Sequence, residues 1–275
     1  MTSALRRLAH TLAWTIALAA CGPPSRNGGL DAHQAGDGSG GNGYVVYAHN
    51  DSVLYSIDLS TKSLVTIGKF NATSGMTDLA VAPDGTIYTI SKTALYTVNP
   101  TTAQATQVAS LTACGTFGVA LTTTSDGRMW TGDHSGAICQ IDISVNPPVV
   151  KPPVMMQNGL ALTGDMVGIG DGTVYGTAYK LSDTTGGTQT NNLLVTIDVT
   201  TGAVTQIGAT GYPQLFGIAF QENQVFGFTY DGTGRVITID PNTGVGAPFG
   251  TFMDPTTNRG ITFAGAGVNS LIVIQ

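Results

Sequence analysis

Ile239-Asp240-Pro241-Asn242-Thr243-Gly244 belongs to a set of five related segments in this chain. The other four are Ile57-Asp58-Leu59-Ser60-Thr61, Val98-Asn99-Pro100-Thr101-Thr102, Ile141-Asp142-Ile143-Ser144 and Ile197-Asp198-Val199-Thr200-Thr201-Gly202. Their Asp or Asn residues stand at positions 58, 99, 142, 198 and 240, so the spacing is 41 to 56 residues. A period of this length indicates a repeat architecture.

Each copy predicts a strand that ends in a tight turn. The run that precedes Asp240, Gly234–Ile239, is rich in β-branched residues and has the length of a strand. The Asp side chain can accept a hydrogen bond from the backbone N–H two residues on, Pro241 presets φ, and Gly244 tolerates a positive φ. An antiparallel strand should follow, as the run Ala203–Gly208 shows.

A second repeated element is a short apolar run that begins with Gly or Asp. Its copies are Asp78–Val81, Gly118–Leu121, Gly159–Leu162, Gly217–Phe220 and Gly260–Phe263. Small residues suit the innermost strand of a ring, because several such strands converge on one axis. One more strand lies between each of these runs and the next Ile-Asp strand, so the repeat is a unit of four antiparallel strands.

Units of this kind predict an all-β fold over residues 44–275, namely a β-propeller of five four-stranded blades. The first blade begins at Tyr44–Tyr47 and lacks an innermost strand. Gly260–Phe263, at the other end of the chain, can supply it and thereby remove the exposed sheet edges. Ser270–Ile274 also has a strand pattern, so it either adds to an edge or belongs to a sixth, incomplete blade.

Two further motifs connect the chain to known proteins. Leu95-Tyr96-Thr97-Val98-Asn99-Pro100 and Pro83-Asp84-Gly85-Thr86-Ile87-Tyr88 resemble the repeats of bacterial secreted propellers of the YVTN, pyrroloquinoline-quinone and lactonase-like types. The resemblance covers about residues 44–275. It implies the propeller fold but says little about activity, because these turns are structural and one fold hosts many functions.

The amino terminus predicts export and anchoring. Residues 1–20 combine Arg6 and Arg7 with an apolar run that is too short to span a bilayer, as in a signal peptide. Leu18-Ala19-Ala20-Cys21 resembles the bacterial lipoprotein signal motif, which implies a lipid on Cys21 and, with Gly22 next, the outer membrane. The alternative is a plain signal peptide with a free Cys21. Residues 21–43 read as the lipidated cysteine and a flexible Gly/Ser/Pro tether.

Composition limits the partners and the redox state. Loss of Arg6 and Arg7 with the signal changes the formal net charge from −6 to −8, which does not favour nucleic acid. We expect the membrane, through the lipid anchor, and an unknown protein or small molecule as partners. Cys114 and Cys139 form an even pair in an oxidising compartment, and they are either a disulfide or two buried thiols.

The residues needed for catalysis are sparse. After the signal, the histidines are His33 in the tether and His49 and His134, which we interpret as solvated turn residues. Nucleophilic catalysis needs a base beside Ser or Cys, and no Gly-x-Ser-x-Gly motif is present. Lactonase-like propellers hold calcium on the axis with Glu, Asn and Asp. The single glutamate of this chain, Glu222, falls in a hairpin on the face opposite the long loop Lys180–Thr190, so the calcium ligands of that family are not reproduced. We therefore predict no catalytic residue, no metal and no cofactor.

The best candidate site is the ring of residues that precede the innermost strands, at one mouth of the central channel. The predicted ligand-binding residues are Thr77, Asp78, Phe117, Asn158, Gln214, Phe216, Asn258 and Arg259. Polar groups beside apolar neighbours at such a mouth form a plausible pocket. Asp78 and Arg259 either clamp a small anion or pair with each other. The long loop Lys180–Thr190 lies on the same face, as part of a working surface or as a tolerated insertion.

Three functions are compatible with this pattern. The first is a lipid-anchored binding or interaction module outside the cytoplasm, in the outer membrane, on the cell surface or in the periplasm. The second is a lactonase-like or lyase-like enzyme with its site at the channel mouth, which would show bound divalent metal or pH-dependent turnover. The third is a purely structural propeller, which would bind neither metal nor ligand.

Overall fold

The computed structural model describes residues 45–114, 118–183 and 191–269. This part of the chain is all-β apart from one 3-10 helix, Thr112–Cys114. The strands are β1 (Val45–His49), β2 (Val53–Asp58), β3 (Ser63–Lys69), β4 (Met76–Val81), β5 (Ile87–Ser91), β6 (Ala94–Val98), β7 (Ala105–Ser110), β8 (Gly118–Thr123), β9 (Met129–Asp133), β10 (Ala137–Asp142), β11 (Val149–Val150), β12 (Val154–Met155), β13 (Leu160–Gly168), β14 (Val174–Lys180), β15 (Leu193–Asp198), β16 (Ala203–Ala209), β17 (Leu215–Gln221), β18 (Gln224–Thr229), β19 (Arg235–Ile239), β20 (Gly246–Thr251) and β21 (Gly265–Gly267).

The strands form five antiparallel sheets, which are the blades of a propeller. From the axis outward, their orders are β21-β1-β2-β3, β4-β5-β6-β7, β8-β9-β10, β13-β14-β15-β16 and β17-β18-β19-β20. In the third blade, the outermost position is divided between β11 and β12, which both pair with β10. The prediction of a five-bladed β-propeller is therefore confirmed. Within the described residues, no helix has the length and apolar character that a membrane crossing needs.

The innermost strands contact one another in a closed ring. The neighbouring pairs are β21 with β4, β4 with β8, β8 with β13, β13 with β17, and β17 with β21. Apolar side chains fill the spaces between adjacent blades, as where Trp130 of the third blade belongs to one cluster with Val174 of the fourth. The core is thus divided among the blade interfaces, and each blade depends on its two neighbours.

The first and last strands meet in one blade, as predicted, but the closing strand is not the predicted one. β21 pairs with β1, where Tyr47 lies opposite Gly267 and His49 opposite Gly265. Gly260 only bridges Met253, and the following residues 261–263 form no strand. The Phe263 ring packs at right angles on Phe228, 5.3 Å between centroids.

Steric crowding at the axis explains why β21, rather than the predicted Gly260–Phe263, closes the first blade. A Cβ at Gly265 would lie 2.6 Å from His49 Nε2 and 2.7 Å from Asp78 Cα, and a Cβ at Gly267 would lie 2.7 Å from Leu79 Cδ1. Only a strand without side chains at these positions fits so close to the axis. The predicted strand Ser270–Ile274 lies outside the described residues.

The turn chemistry of the repeated segment is confirmed. In each copy, the Asp or Asn Oδ1 accepts a hydrogen bond from the backbone N–H two residues on. These bonds join Asp58 to Ser60, Asn99 to Thr101, Asp142 to Ser144, Asp198 to Thr200 and Asp240 to Asn242. The Ser60 hydroxyl also donates to Asp58, and this bond is the main cause that lowers the pKa of that carboxyl.

Cys114 and Cys139 are joined in a disulfide with their Cα atoms 5.8 Å apart. The bond connects the 3-10 helix Thr112–Cys114, just before β8, to the third strand of the same blade. Spacing between strands alone would keep these residues too far apart, and the 3-10 helix brings Cys114 back over the sheet.

Substitution of Gly265 tests how tightly the ring closes. We expect Gly265→Ala to lower the free energy of unfolding by about 3 kcal/mol, because the new Cβ would overlap Asp78 and His49. Gly250→Ala is the matched control, since a Cβ there would meet nothing nearer than Lys62 Cδ at 3.8 Å and should change stability by less than about 0.5 kcal/mol. Urea unfolding of both variants measures the difference. Equal stability of the two would contradict the proposed close approach.

Candidate functional site

A pocket of about 690 Å³ opens at the face where the chain runs into the innermost strands. Its lining, which we call the mouth pocket, consists of Asp51, Ser74, Gly75, Met76, Thr77, Ser91, Lys92, Thr93, Val119, His134, Gly164, Phe216, Tyr230 and Ala264. Two kinds of segment contribute these residues. One kind lies at or near the start of an innermost strand, and the other joins the second strand of a blade to its third.

Aromatic rings form one wall of the mouth pocket. Phe216 and Tyr230 stack with their ring centroids 4.8 Å apart and their planes at 21°. His134 lies against Phe216 at 6.3 Å and against Tyr179 at 6.4 Å. The Tyr179 hydroxyl donates to the carbonyl oxygen of His134 at 2.8 Å, which holds this loop in place. The wall is therefore a fixed apolar surface rather than a set of loose side chains.

Polar groups surround this wall. Tyr230 has a raised pKa, first because of burial and then because of the negative charge of Asp51 and a hydrogen bond to it. The Thr77 hydroxyl donates to the carbonyl oxygen of Gly118 at 2.7 Å, so it ties two blades together at the pocket floor. His134 Nδ1 donates to the carbonyl oxygen of Leu162 at 2.9 Å. The pocket thus combines an apolar wall with oriented hydrogen-bonding groups.

Two fully buried carboxyl groups lie on the axis just beneath the pocket floor, and we call Asp78 and Asp165 the axial pair. Asp78 Oδ1 accepts from the N–H of Leu79 at 2.8 Å, and its Oδ2 accepts from Leu121 at 2.5 Å. Asp165 Oδ1 accepts from Met166 at 2.6 Å, and its Oδ2 accepts from Ile218 at 2.7 Å.

The axial pair collects donors from every blade. Asp165 also accepts a hydrogen bond from the N–H of Ala266 in the closing strand β21. The five donor residues therefore lie in β4, β8, β13, β17 and β21, which are the five innermost strands. Burial raises the pKa of both carboxyl groups well above the ordinary value, and for Asp78 the charge of Asp165 adds to this effect.

His49 is also fully buried next to the axial pair. Its Nδ1 donates to the carbonyl oxygen of Asn50 at 2.8 Å, and its Nε2 has no hydrogen-bond partner among the described residues. Burial lowers the pKa of His49 to about 4, so the ring is neutral at physiological pH. The interpretation of His49 as a solvated turn residue is therefore wrong, since the closing strand β21 covers it.

The structure distributes the predicted site residues unevenly. Thr77 and Phe216 line the mouth pocket, and Asp78 lies beneath it. Phe117 lies outside the described residues. The predicted contact between Asp78 and Arg259 is not formed, because Asp78 is fully buried and Arg259 is exposed in a turn.

Asn158, Gln214 and Asn258 have positive φ angles of 62°, 58° and 52° and serve the segments that cross between blades. Asn158 Nδ2 donates to the carbonyl oxygen of Val204, and the Gln214 carbonyl accepts from the N–H of Tyr230. Asn258 is exposed, and its N–H donates to the Asp254 carbonyl. None of the three lines the mouth pocket. All three residues therefore have a left-handed backbone, a conformation in which Asn is found more often than most residues.

Sequence reasoning missed Asp51, Lys92, His134 and Tyr230, which follow second strands. The topology could have indicated them, because an antiparallel second strand returns to the face from which the first began. It also missed Asp165. A carboxylate inside an apolar strand is rare and is costly to bury unless it is hydrogen-bonded, so its position indicates a specific role. Within residues 45–114, 118–183 and 191–269, no group of three or more His, Cys, Asp or Glu side chains is arranged to hold a metal ion.

The closed ring of five similar blades defines a repeat protein of the five-bladed β-propeller class. The profile of the family described as "Repeat of unknown function (DUF6923)" matches residues 16–156, about half of the chain, and the protein belongs to this family. The described part of the match spans β1 to β12 and contains Asp51, Asp78 and His134. A comparison with curated proteins found no match. The resemblance to particular propeller repeat types stays a prediction.

The buried His49 should make stability depend on pH. Because its pKa is lower in the folded protein than its ordinary value of 6.5, the unfolded chain binds a proton that the folded protein does not. The stability contributed by neutral His49 is fully present above about pH 6.5 and should decline by about 3 kcal/mol as pH falls to about 4.

The measurement compares wild type with His49→Gln by urea unfolding at several pH values between 4 and 7. At pH 7 the variant should be less stable than wild type, and this difference should shrink by up to about 3 kcal/mol as the pH falls to about 4. A constant difference over this range would show that His49 does not titrate as its burial requires.

Proposed function

We propose that this protein is a lipid-anchored binding module outside the cytoplasm and that the mouth pocket holds a small organic ligand. The mouth pocket is the observation that carries the proposal. Its volume of about 690 Å³ lies within the range of about 300–1,000 Å³ that is usual for ligand pockets. It also has the mixture of aromatic surface and few polar groups that such pockets use to orient a ligand.

The lining indicates the chemistry of the ligand. Phe216 and Tyr230 offer ring surface to a flat apolar part of a molecule. Asp51 and the Thr93 hydroxyl offer an acceptor and a donor at the exposed rim, and the Ser91 hydroxyl lines the buried part of the pocket. A ligand with one apolar face and several hydroxyl, amide or amine groups matches both parts of the pocket.

The closely packed axis beneath the pocket floor favours ligand binding. Thr77, Gly164 and Ala264 form part of the floor, and each is the neighbour of a residue packed at the axis. A ligand that enters a site already fixed in this way does not have to order the protein, so less of its binding energy is lost. The propeller therefore acts as a rigid frame for loops that carry the contacts.

Export and anchoring are part of the proposal. The Cys114–Cys139 disulfide supports an oxidising compartment. Residues 22–43, between the proposed lipid on Cys21 and the propeller, have the composition of a flexible chain. A flexible chain of this length spans about 25 Å on average, which would keep the pocket accessible near a membrane.

Ligand binding is tested by a panel of mono- and oligosaccharides, amino acids and aromatic acids, with isothermal titration calorimetry on the full chain. We expect at least one compound to bind with a single saturable site and Phe216→Ala to weaken it by about tenfold or more, because the aromatic wall is lost.

Phe220→Ala is the matched control for this experiment. Phe220 lies in the same strand and stacks on Tyr175, 5.9 Å between centroids, but does not line the pocket. Its variant should bind within about twofold of wild type. Equal binding by wild type and Phe216→Ala, or equal losses in both variants, would contradict the proposed site, and a panel without any binder would remove its support.

Anchoring is tested by Cys21→Ser in a Gram-negative host fed with labelled palmitate. Wild type should carry the label and fractionate with membranes, whereas the variant should carry none and become soluble, because serine cannot take the lipid. Gly22→Ala retains the cysteine and should remain labelled. Labelled, membrane-bound Cys21→Ser would show that the anchor lies elsewhere.

A further inference from the structure

We propose that Asp78 and Asp165 hold one proton between them at the axis, and that loss of this proton at alkaline pH loosens the closed ring and the floor of the mouth pocket. The inference concerns the axial pair alone and does not depend on which ligand the pocket binds.

The hydrogen bonds of the axial pair restrict where a proton can be held. All four carboxyl oxygens accept from backbone N–H groups, at distances of 2.5 to 2.8 Å. Beyond the effect of burial, each carboxyl group also changes the pKa of the other. A proton held between them would let one carboxyl group donate to the other, whereas two carboxylates can only accept.

The surroundings stabilise one negative charge but not two. Five backbone N–H dipoles point at the pair, which favours an ionised carboxylate. Both side chains are fully buried, however, so a second charge would lie beside the first without water to screen it. The pair therefore titrates as a unit whose second proton loss is displaced to high pH.

Other titratable groups near the pair do not supply a countercharge. The strands that contact β4 and β13 carry Tyr47 and His49 in β1, Tyr88 in β5, Asp133 in β9, and Tyr175, Tyr179 and Lys180 in β14. The innermost strands β8, β17 and β21 carry none. Lys180 is exposed, and His49 is held neutral by burial.

The axial pair is joined directly to the mouth pocket. Thr77 precedes Asp78, and Gly164 precedes Asp165. Ala264 precedes Gly265, whose backbone passes over Asp78 and His49. Repulsion between two charges at the axis would therefore move three residues of the pocket floor.

The direction of the pH effect follows from the raised pKa of the pair. In the folded protein the pair keeps a proton that two ordinary aspartates in the unfolded chain would lose. Its contribution to stability is fully present below the ordinary pKa of Asp and is lost as pH rises through the raised pKa. His49 acts in the opposite direction between about pH 4 and its ordinary pKa of 6.5, so the loss of stability that comes from the pair should be seen without this opposing effect only above about pH 6.5.

The first experiment is infrared spectroscopy of the wild-type full chain with isotopically labelled aspartate. At pH 7 we expect the carbonyl band of one protonated aspartic acid, and we expect it to disappear as the pH is raised. The backbone amide signals of Thr77, Gly164 and Ala264 should shift in NMR spectra with the same midpoint. Absence of the band at pH 7, or amide signals that do not follow it, would overturn the proposal.

The second experiment compares wild type with Asp78→Asn and Asp165→Asn. Each variant has a single axial carboxyl group, which can stay ionised, so the band should vanish. Between pH 7 and 10, the Tm of wild type should fall by at least about 3 °C more than that of either variant. Asp171→Asn, in an exposed turn, is the control and should behave as wild type.

Parallel loss of stability with pH in wild type and in both axial variants would overturn the proposal, as would a band that persists in both. If neither variant folds, the wild-type band and its pH dependence decide the matter alone, because they need no substitution.

Discussion

The structure depends on how the backbone groups at the propeller axis find hydrogen-bond partners. Each innermost strand pairs with a neighbour on its outer side only, so its inner edge leaves N–H groups without a strand partner. Unpaired buried N–H groups are costly. Asp78 and Asp165 accept hydrogen bonds from all five strands, which satisfies one such donor in each strand and joins the blades at the axis.

This arrangement separates two layers of the molecule. The layer at the axis consists of small residues, N–H donors and the axial pair, and its packing leaves little room for change, as the contacts of Gly265 show. The layer above it consists of loops that carry Asp51, His134 and Tyr230, which line the mouth pocket. Loops can vary without altering the axis, so the fold permits different ligands on the same frame.

Local chemistry was predictable from the sequence, and contacts across the ring were not. The turns of Asp58 and Asp240 depend on residues two positions away, so the sequence shows them directly. The contact of Asp51 with Tyr230 joins the first blade to the fifth and exists only after the ring has closed. The closing strand was predicted at the wrong segment because Gly260–Phe263 and Gly265–Gly267 both begin with glycine. Only the close packing at the axis, which leaves no room for a Cβ at Gly265 or Gly267, separates the two segments.

The family match bears on how many repeats the ring needs. The matched residues 16–156 contain Asp78 but not Asp165, and their described strands end at β12. Asp78 alone accepts donors from β4 and β8, whereas the donors from β13, β17 and β21 belong to Asp165. Three blades therefore have only part of the hydrogen bonding that closes the axis. The last two blades complete the fold because they bring the second carboxyl group and the walls of Phe216 and Tyr230.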